Sequence, residues 1–406
     1  MIPATGLAKI TETLRSPVYG SYVLGNGTSL VGNWMQRITV GWLTWQLTGS
    51  PLWLGIIAFA DLFPAVVVGP LAGAIADRRN RLRLMQITQA LSCIQAAILF
   101  VLSVTGVLDI LALALLSLFL GTITALNQPA RLALIPSLVE PRHLNSAIGI
   151  NSVIFNLARF IGPAIAGVII ANGHVSWVFA LNALSFAFFL FILLRLKLST
   201  TSSPPREHKR FFTDLADGLS YAARHQRISE QLLLLIIIGI GARPIIELLP
   251  GLAAAVFQGG PQTLALLTST FGAGAIVGGL WLAGRDTRGN LSDIVHVAAF
   301  VLAAALFLFV ATPSLWVALP AVALIGLTMV ITGAGIQTLL QLDVDADMRG
   351  RVLSLYGLIM RGGPAIGALS MGWLAEYFGL RLPLAGGAVI VALAALRLVV
   401  RVRMKR

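Results

Sequence analysis

A chain of 406 residues that is 57% hydrophobic and only 11% charged has too few polar side chains to cover a water-soluble globule of its size. A net charge of +13 would suggest nucleic acid as the partner of a soluble protein, but here the Lys and Arg residues fall between long apolar runs, where a membrane protein keeps its cytoplasmic charges, so no nucleic-acid partner is expected. With a mean hydropathy of +0.88, the sequence reads as an all-α membrane protein embedded in a lipid bilayer.

The first twenty residues have neither a continuous apolar core nor a small-residue cleavage site, so no removed signal peptide is expected. Taking about 20 apolar residues per crossing, the sequence predicts twelve transmembrane helices, over residues 20-47, 52-76, 84-105, 110-130, 146-172, 176-196, 230-257, 262-284, 291-312, 314-341, 352-378 and 383-400. An even number places both termini on one side. Between the second and third spans, Asp77 is followed by Arg78, Arg79, Arg81 and Arg83, a charge density that holds this loop in the cytoplasm. The side so defined, with its helix ends, holds 24 of the 29 Lys and Arg residues, which predicts cytoplasmic termini and insertion in the cell inner (cytoplasmic) membrane. Trp42, Trp45, Trp53, Trp177 and Trp316 fall near the opposite ends of their spans, as an interfacial aromatic belt requires. The single cysteine, Cys93, sits in an apolar run and is expected to pack there.

The longest polar stretch, 197-228, opens with Ser and Pro residues and reads as a cytoplasmic linker between an N-terminal half (1-196) and a C-terminal half (229-406). Within it Phe211, Phe212, Leu215, Leu219 and Ala222 recur at helical spacing, which predicts an amphipathic helix lying on the membrane surface. The halves echo each other. Gly162-Pro163-Ala164-Ile165 in the fifth span recurs as Gly363-Pro364-Ala365-Ile366 in the eleventh, so two pseudo-symmetric repeats of six helices each are expected.

These features resemble the major facilitator superfamily over essentially the whole chain. Gly73, Asp77 and Arg78 match its loop signature between spans 2 and 3; Asn80 stands where a second Gly is usual, and Arg81 closes the pattern. Asn tolerates a left-handed backbone, so the turn is expected to survive that change. The runs Trp34-Met35-Gln36-Arg37, Gln128-Pro129-Ala130-Arg131 and Asn156-Leu157-Ala158-Arg159 are similar to the enterobactin-exporter and macrolide-efflux branch. The resemblance implies the major facilitator fold and alternating access. It also implies a conformational gate at Gly73, Asp77, Arg78 and Arg81. The Arg common in the fourth span of drug antiporters is missing, because residues 110-130 carry no charge.

Charged groups at bilayer depth are costly and usually face a cavity or a partner. Arg37, Asp61, Arg159, Arg243, Glu247 and Arg361 stand out. Arg37 and Asp61 each lie twelve residues from Gly49 at the tip of the first hairpin, roughly 18 Å along their helices, and are expected to be level. Arg243 and Glu247 are four apart and should share a helix face, with Pro244 and Pro250 making that helix easy to bend. Proton coupling is therefore assigned to Glu247 and Asp61 with Arg37 and Arg243; fixed ion pairs that only hold helices together fit the same spacing. A substrate cavity is assigned to Asn33, Trp34, Gln36, Asn156, Arg159 and Arg361. Arg159 and Arg361 also suit pairing with a carboxylate or capping of carbonyls freed by Pro163 and Pro364, a reading that fits Arg361 better than the cavity does.

The Gly-rich runs 162-167 and 272-279 lie inside apolar spans and read as helix-packing sites rather than phosphate loops. No metal-ligand spacing, cofactor motif or nucleophile constellation is present, so the protein is not expected to be an enzyme. The function expected is proton-coupled export of small amphipathic or drug-like molecules, of multidrug or siderophore type, by a monomer. A proton-coupled importer or facilitator of the same fold shares these features. A non-transporting sensor or scaffold shares the architecture but has no use for ionisable residues in five spans.

Overall fold

The computed structural model describes residues 6-69, 72, 80-196, 211-285 and 290-404, and among them the secondary structure is helical throughout. In chain order the α-helices are α1 (Gly6–Arg15), α2 (Pro17–Thr48), α3 (Pro51–Leu62), α4 (Pro64–Val67), α5 (Arg81–Val104), α6 (Ile110–Leu134), α7 (Leu144–Ala171) and α8 (Val175–Arg195). They continue with α9 (Phe211–Arg224), α10 (Gln226–Gly241), α11 (Ile245–Gly251), α12 (Pro261–Ala283), α13 (Leu291–Ala311), α14 (Leu315–Asp343), α15 (Arg349–Phe378) and α16 (Arg381–Met404). Ten helical segments among the described residues are long and apolar enough to cross a membrane. They coincide with the third to twelfth spans predicted above. The first predicted span is α2, 32 residues long, whose hydropathy is lowered by Asn26, Asn33, Gln36 and Arg37. The second begins as α3, which ends ahead of Pro64.

Local chemistry sets the boundaries. Ser50 caps α3, its side chain accepting from Trp53 N, with Pro51 in the first turn; Asp109 caps α6 in the same way through Ala112 N at 2.7 Å. Asn80 corrects a sequence expectation. Its backbone is extended (φ −61°, ψ 112°), not left-handed, and its Oδ1 accepts from Arg83 N at 3.1 Å, so Asn serves here as the N-cap of α5.

The chain divides into two compact units, residues 1-40 with 67-207, and 41-66 with 208-406. In the first, α5 packs on α6 and α8. Its buried stripe runs Met85, Thr88, Gln89, Ser92, Gln95, Ala96 and Leu99, a polar seam at helical spacing inside an apolar helix. An apolar cluster of Tyr19, Tyr22, Met85, Leu134, Phe189 and neighbours closes one end, tied by the Tyr19 hydroxyl donating to Ala147 O at 2.9 Å.

In the second unit, α12 packs on α14, α13 on α14 and α16, and α3 runs along α15. Small residues set these approaches. A Cβ on Gly274 or Gly278 would strike the α14 backbone at Ala323 and Leu327, and one on Gly326 would strike α12 at Phe271. Gly55 and Gly372 play the same part between α3 and α15. At the end of that seam the Ser50 hydroxyl and Leu52 N both donate to Glu376 Oε2, at 2.7 and 3.2 Å.

The amphipathic helix is present as α9, but protein covers part of it. Arg351 of α15 reaches Asp214 at 2.8 Å and Asp217 at 3.7 Å, Tyr221 donates to Asp345 Oδ2 at 2.8 Å, and Ala222 is buried while Leu219 stays exposed. The aromatic belt also needs one correction. Trp177 and Trp316 are exposed, whereas Trp42 is buried and belongs to the packing.

Candidate functional site

Residues 34 and 37 are one helical turn apart on α2 and share a face. There the Trp34 indole collects its surroundings. The Arg37 guanidinium lies 5.6 Å from the ring centroid, the Arg159 guanidinium of α7 lies 5.0 Å from it, and the Phe155 ring meets it edge-on at 6.2 Å. Gly162 lets α7 come this close, since a Cβ there would meet Trp34 Cβ and the backbone of Val31. Each guanidinium over an indole contributes about 0.5–2 kcal/mol, more as water is excluded. Two guanidinium groups on one aromatic plate make a half-buried surface that is π-rich and carries cationic side chains.

The remaining cavity residues divide. Asn156 turns its amide back to Ser152 O at 2.8 Å on its own helix. Asn33 lines a small polar cavity among α2, α5, α6 and α8. Gln36 does not line a cavity: it is 1% exposed, its Nε2 donates to Gln95 Oε1 at 3.0 Å, and its Oε1 accepts from Asn182 Nδ2 at 2.8 Å. The physical reason is angular. Gln36 is two residues from Trp34, about 200° around the helix, and so faces α5 and α8.

In the other unit, Asp61 occupies the last turn of α3 before Pro64, and Glu247 the first turn of α11. Arg361 sits within α15 just before Gly362-Gly363-Pro364. The expectation that Arg243 and Glu247 share one continuous face is overturned. The helix breaks between α10 and α11: Arg243 N reaches back five residues to Ile238 O, and Glu247 N only three to Pro244 O, so the four-residue register does not carry across. Arg243 is placed against α14, where a Cβ on Gly333 would stand 3.4 Å from its Nη2. The Tyr356 hydroxyl donates to Gly333 O at 3.1 Å beside it.

Of the gate residues, Gly73, Asp77 and Arg78 lie outside the described residues. Arg81 donates through Nη1 to Ala133 O at 3.2 Å, capping a free carbonyl in the last turn of α6.

Sequence reasoning missed two groups. The predicted fourth span stops at Ala130, one residue short of Arg131, yet α6 continues through Pro129 to Leu134 and carries Arg131 within it. The Gln89, Ser92 and Gln95 seam was legible as polar residues at spacings of three in an apolar run, a signal outweighed by the run's hydropathy.

Among known proteins, the sequence matches the family model described as transmembrane secretion effector, of the major facilitator superfamily, over residues 10–406. It is 28% identical over 351 residues to a staphyloferrin A transporter of Staphylococcus aureus, covering 86% of this chain and 87% of that one. It is 21% identical over 376 residues to macrolide efflux protein A of Streptococcus pyogenes, covering 91% and 92%. The structure is similar to the nucleoside transporter NupG with a TM-score of 0.75 at 11% identity, over 95% of this chain and 98% of that one, a likeness of fold.

Proposed function

The chain belongs to the transmembrane secretion effector family of major facilitator transporters, and from that premise we propose that it exports small amphipathic molecules carrying an acidic group, siderophore-like or drug-like, in exchange for protons. It works as a monomer in the cytoplasmic membrane with both termini inside, by alternating access of two six-helix halves. The observation that carries this reading is the Trp34 plate flanked by Arg37 and Arg159, which suits a flat apolar body by stacking and an anionic edge by charge. The name of the staphyloferrin transporter among its relatives supports the siderophore-like class, and that of the macrolide efflux protein supports the outward direction.

In this reading Trp34, Arg159, Arg361, Asn156 and Asn33 contact the cargo. Asp61 and Glu247 take up and release protons, Arg37 and Arg243 are the cations of the coupling machinery, and Gly73, Asp77, Arg78 and Arg81 form the gate. Both acids sit at helix interruptions, where a small backbone rotation moves a side chain between two surroundings.

Reconstitution tests it. Proteoliposomes loaded with a pH-sensitive dye and challenged with a panel of acidic amphiphiles should show cargo movement against an imposed proton gradient. Asp61→Asn and Glu247→Gln should each lose gradient-driven accumulation while keeping cargo exchange across the membrane. Full coupling in both variants removes the proton assignment, and cargo movement indifferent to the gradient removes exchange altogether.

A further inference from the structure

The first compact unit contains a small, partly open polar cavity of about 60 Å³, lined by α2, α5, α6 and α8. That is room for a few water molecules or one small polyatomic ion. Its wall carries Asn26, Asn33, Gln89, Ser92 and Asn127, and a single charged group, Arg131; none of its lining residues is acidic. The Arg131 Nε is buried without a hydrogen-bond partner, and among the described residues no carboxylate pairs with the guanidinium. Tyr22, 1% exposed and packed edge-on against the cavity residue Phe189, holds a hydroxyl that is likewise buried and unpartnered, within electrostatic reach of Arg131.

Several of the surrounding polar groups are already engaged. Gln89 Nε2 donates to Ser29 Oγ at 3.1 Å, and Asn127 Nδ2 to Thr88 Oγ1 at 2.7 Å. These bonds hold the wall rigid and leave the cation as the dominant unfilled demand. A guanidinium in a membrane helix needs a counter-charge or water, and no side chain lining this cavity supplies the former. We propose that this cavity is a binding site for one small monovalent anion, held by Arg131 with the Asn amides of the cavity wall completing its shell. The occupant has the charge and size of a halide or of an acetate-sized carboxylate, drawn from solution. Apart from Asn33, this site shares none of the residues assigned above to the cargo, and it does not require the Trp34 plate.

The test uses the full-length protein in nanodiscs, at constant ionic strength, with sodium gluconate as the reference because gluconate is too bulky for the cavity. Replacing gluconate by chloride, and separately by acetate, should raise the unfolding temperature along a saturating curve. A larger response to chloride identifies a halide as the occupant; a larger response to acetate identifies a small carboxylate. Arg131→Gln should abolish both responses and Arg131→Lys should keep a weakened one. Leu120→Trp, which fills the cavity and leaves Arg131 in place, should abolish them as well. Equal unfolding temperatures of the unsubstituted protein in all three salts overturn the proposal without recourse to any variant, and so does a saturating response that survives both Arg131→Gln and Leu120→Trp.

Discussion

Trp34, Gln36 and Arg37 occupy four consecutive positions with Met35, and the helix sorts them into different roles. Trp34 and Arg37 share a face and meet Arg159; Gln36 turns away and closes a chain of amides from α8 through α2 to α5 and on to Leu116 O of α6. Gln36→Leu would orphan Gln95 Oε1 and Asn182 Nδ2, each costing about 1–3 kcal/mol when buried. The expected result is a clear drop in unfolding temperature in detergent with cargo affinity of the folded fraction unchanged. Lowered affinity with stability intact would return Gln36 to the cavity, where composition alone had placed it. Composition erred here because a polar residue in a span can serve a cavity or a neighbouring helix, and choosing between them requires the rotation of that helix.

At the scale of elements, the apolar spans were legible because length and hydropathy are properties of a segment by itself. The Gly-rich runs were legible as packing sites for the same reason, and the structure shows the approaches they permit. Gly326→Val should cost about 1–3 kcal/mol by driving a branched side chain into the α12 backbone at Phe271. Gly279→Ala, whose Cβ would meet only Val330 Cγ1 at 3.7 Å, should be nearly neutral. Comparing their thermal unfolding checks the point, and equal losses would show that close approach is not what these glycines provide. What stayed hidden were features that depend on two distant segments or on a change of helical pitch. Pro244 announces an interruption near Arg243, but the direction in which the chain restarts decides whether Glu247 follows it. Ser50 and Glu376 meet across 326 positions, and no local pattern joins them.

For the molecule as a whole, α3 is the informative element. By sequence it belongs with the first six spans, yet its packing along α15 groups residues 41-66 with the C-terminal unit. If two six-helix halves rock against each other during transport, α3 must part from α15 in every cycle, and the Gly55–Gly372 seam with its Ser50–Glu376 clasp is the contact that has to open. Such a seam favours glycine and a single exposed hydrogen-bonded acid over interdigitated bulky side chains, since it must close tightly and still release. Cysteines at positions 50 and 376 in a Cys93→Ser background test this directly. A short, membrane-impermeant bifunctional thiol reagent added from outside the cell should join them and abolish transport, while either single-cysteine protein treated alike keeps its activity. Undiminished transport by the joined protein would mean the seam stays shut throughout the cycle. Joining by the reagent only from the cytoplasmic face of inverted vesicles would reverse the orientation read from the distribution of Lys and Arg.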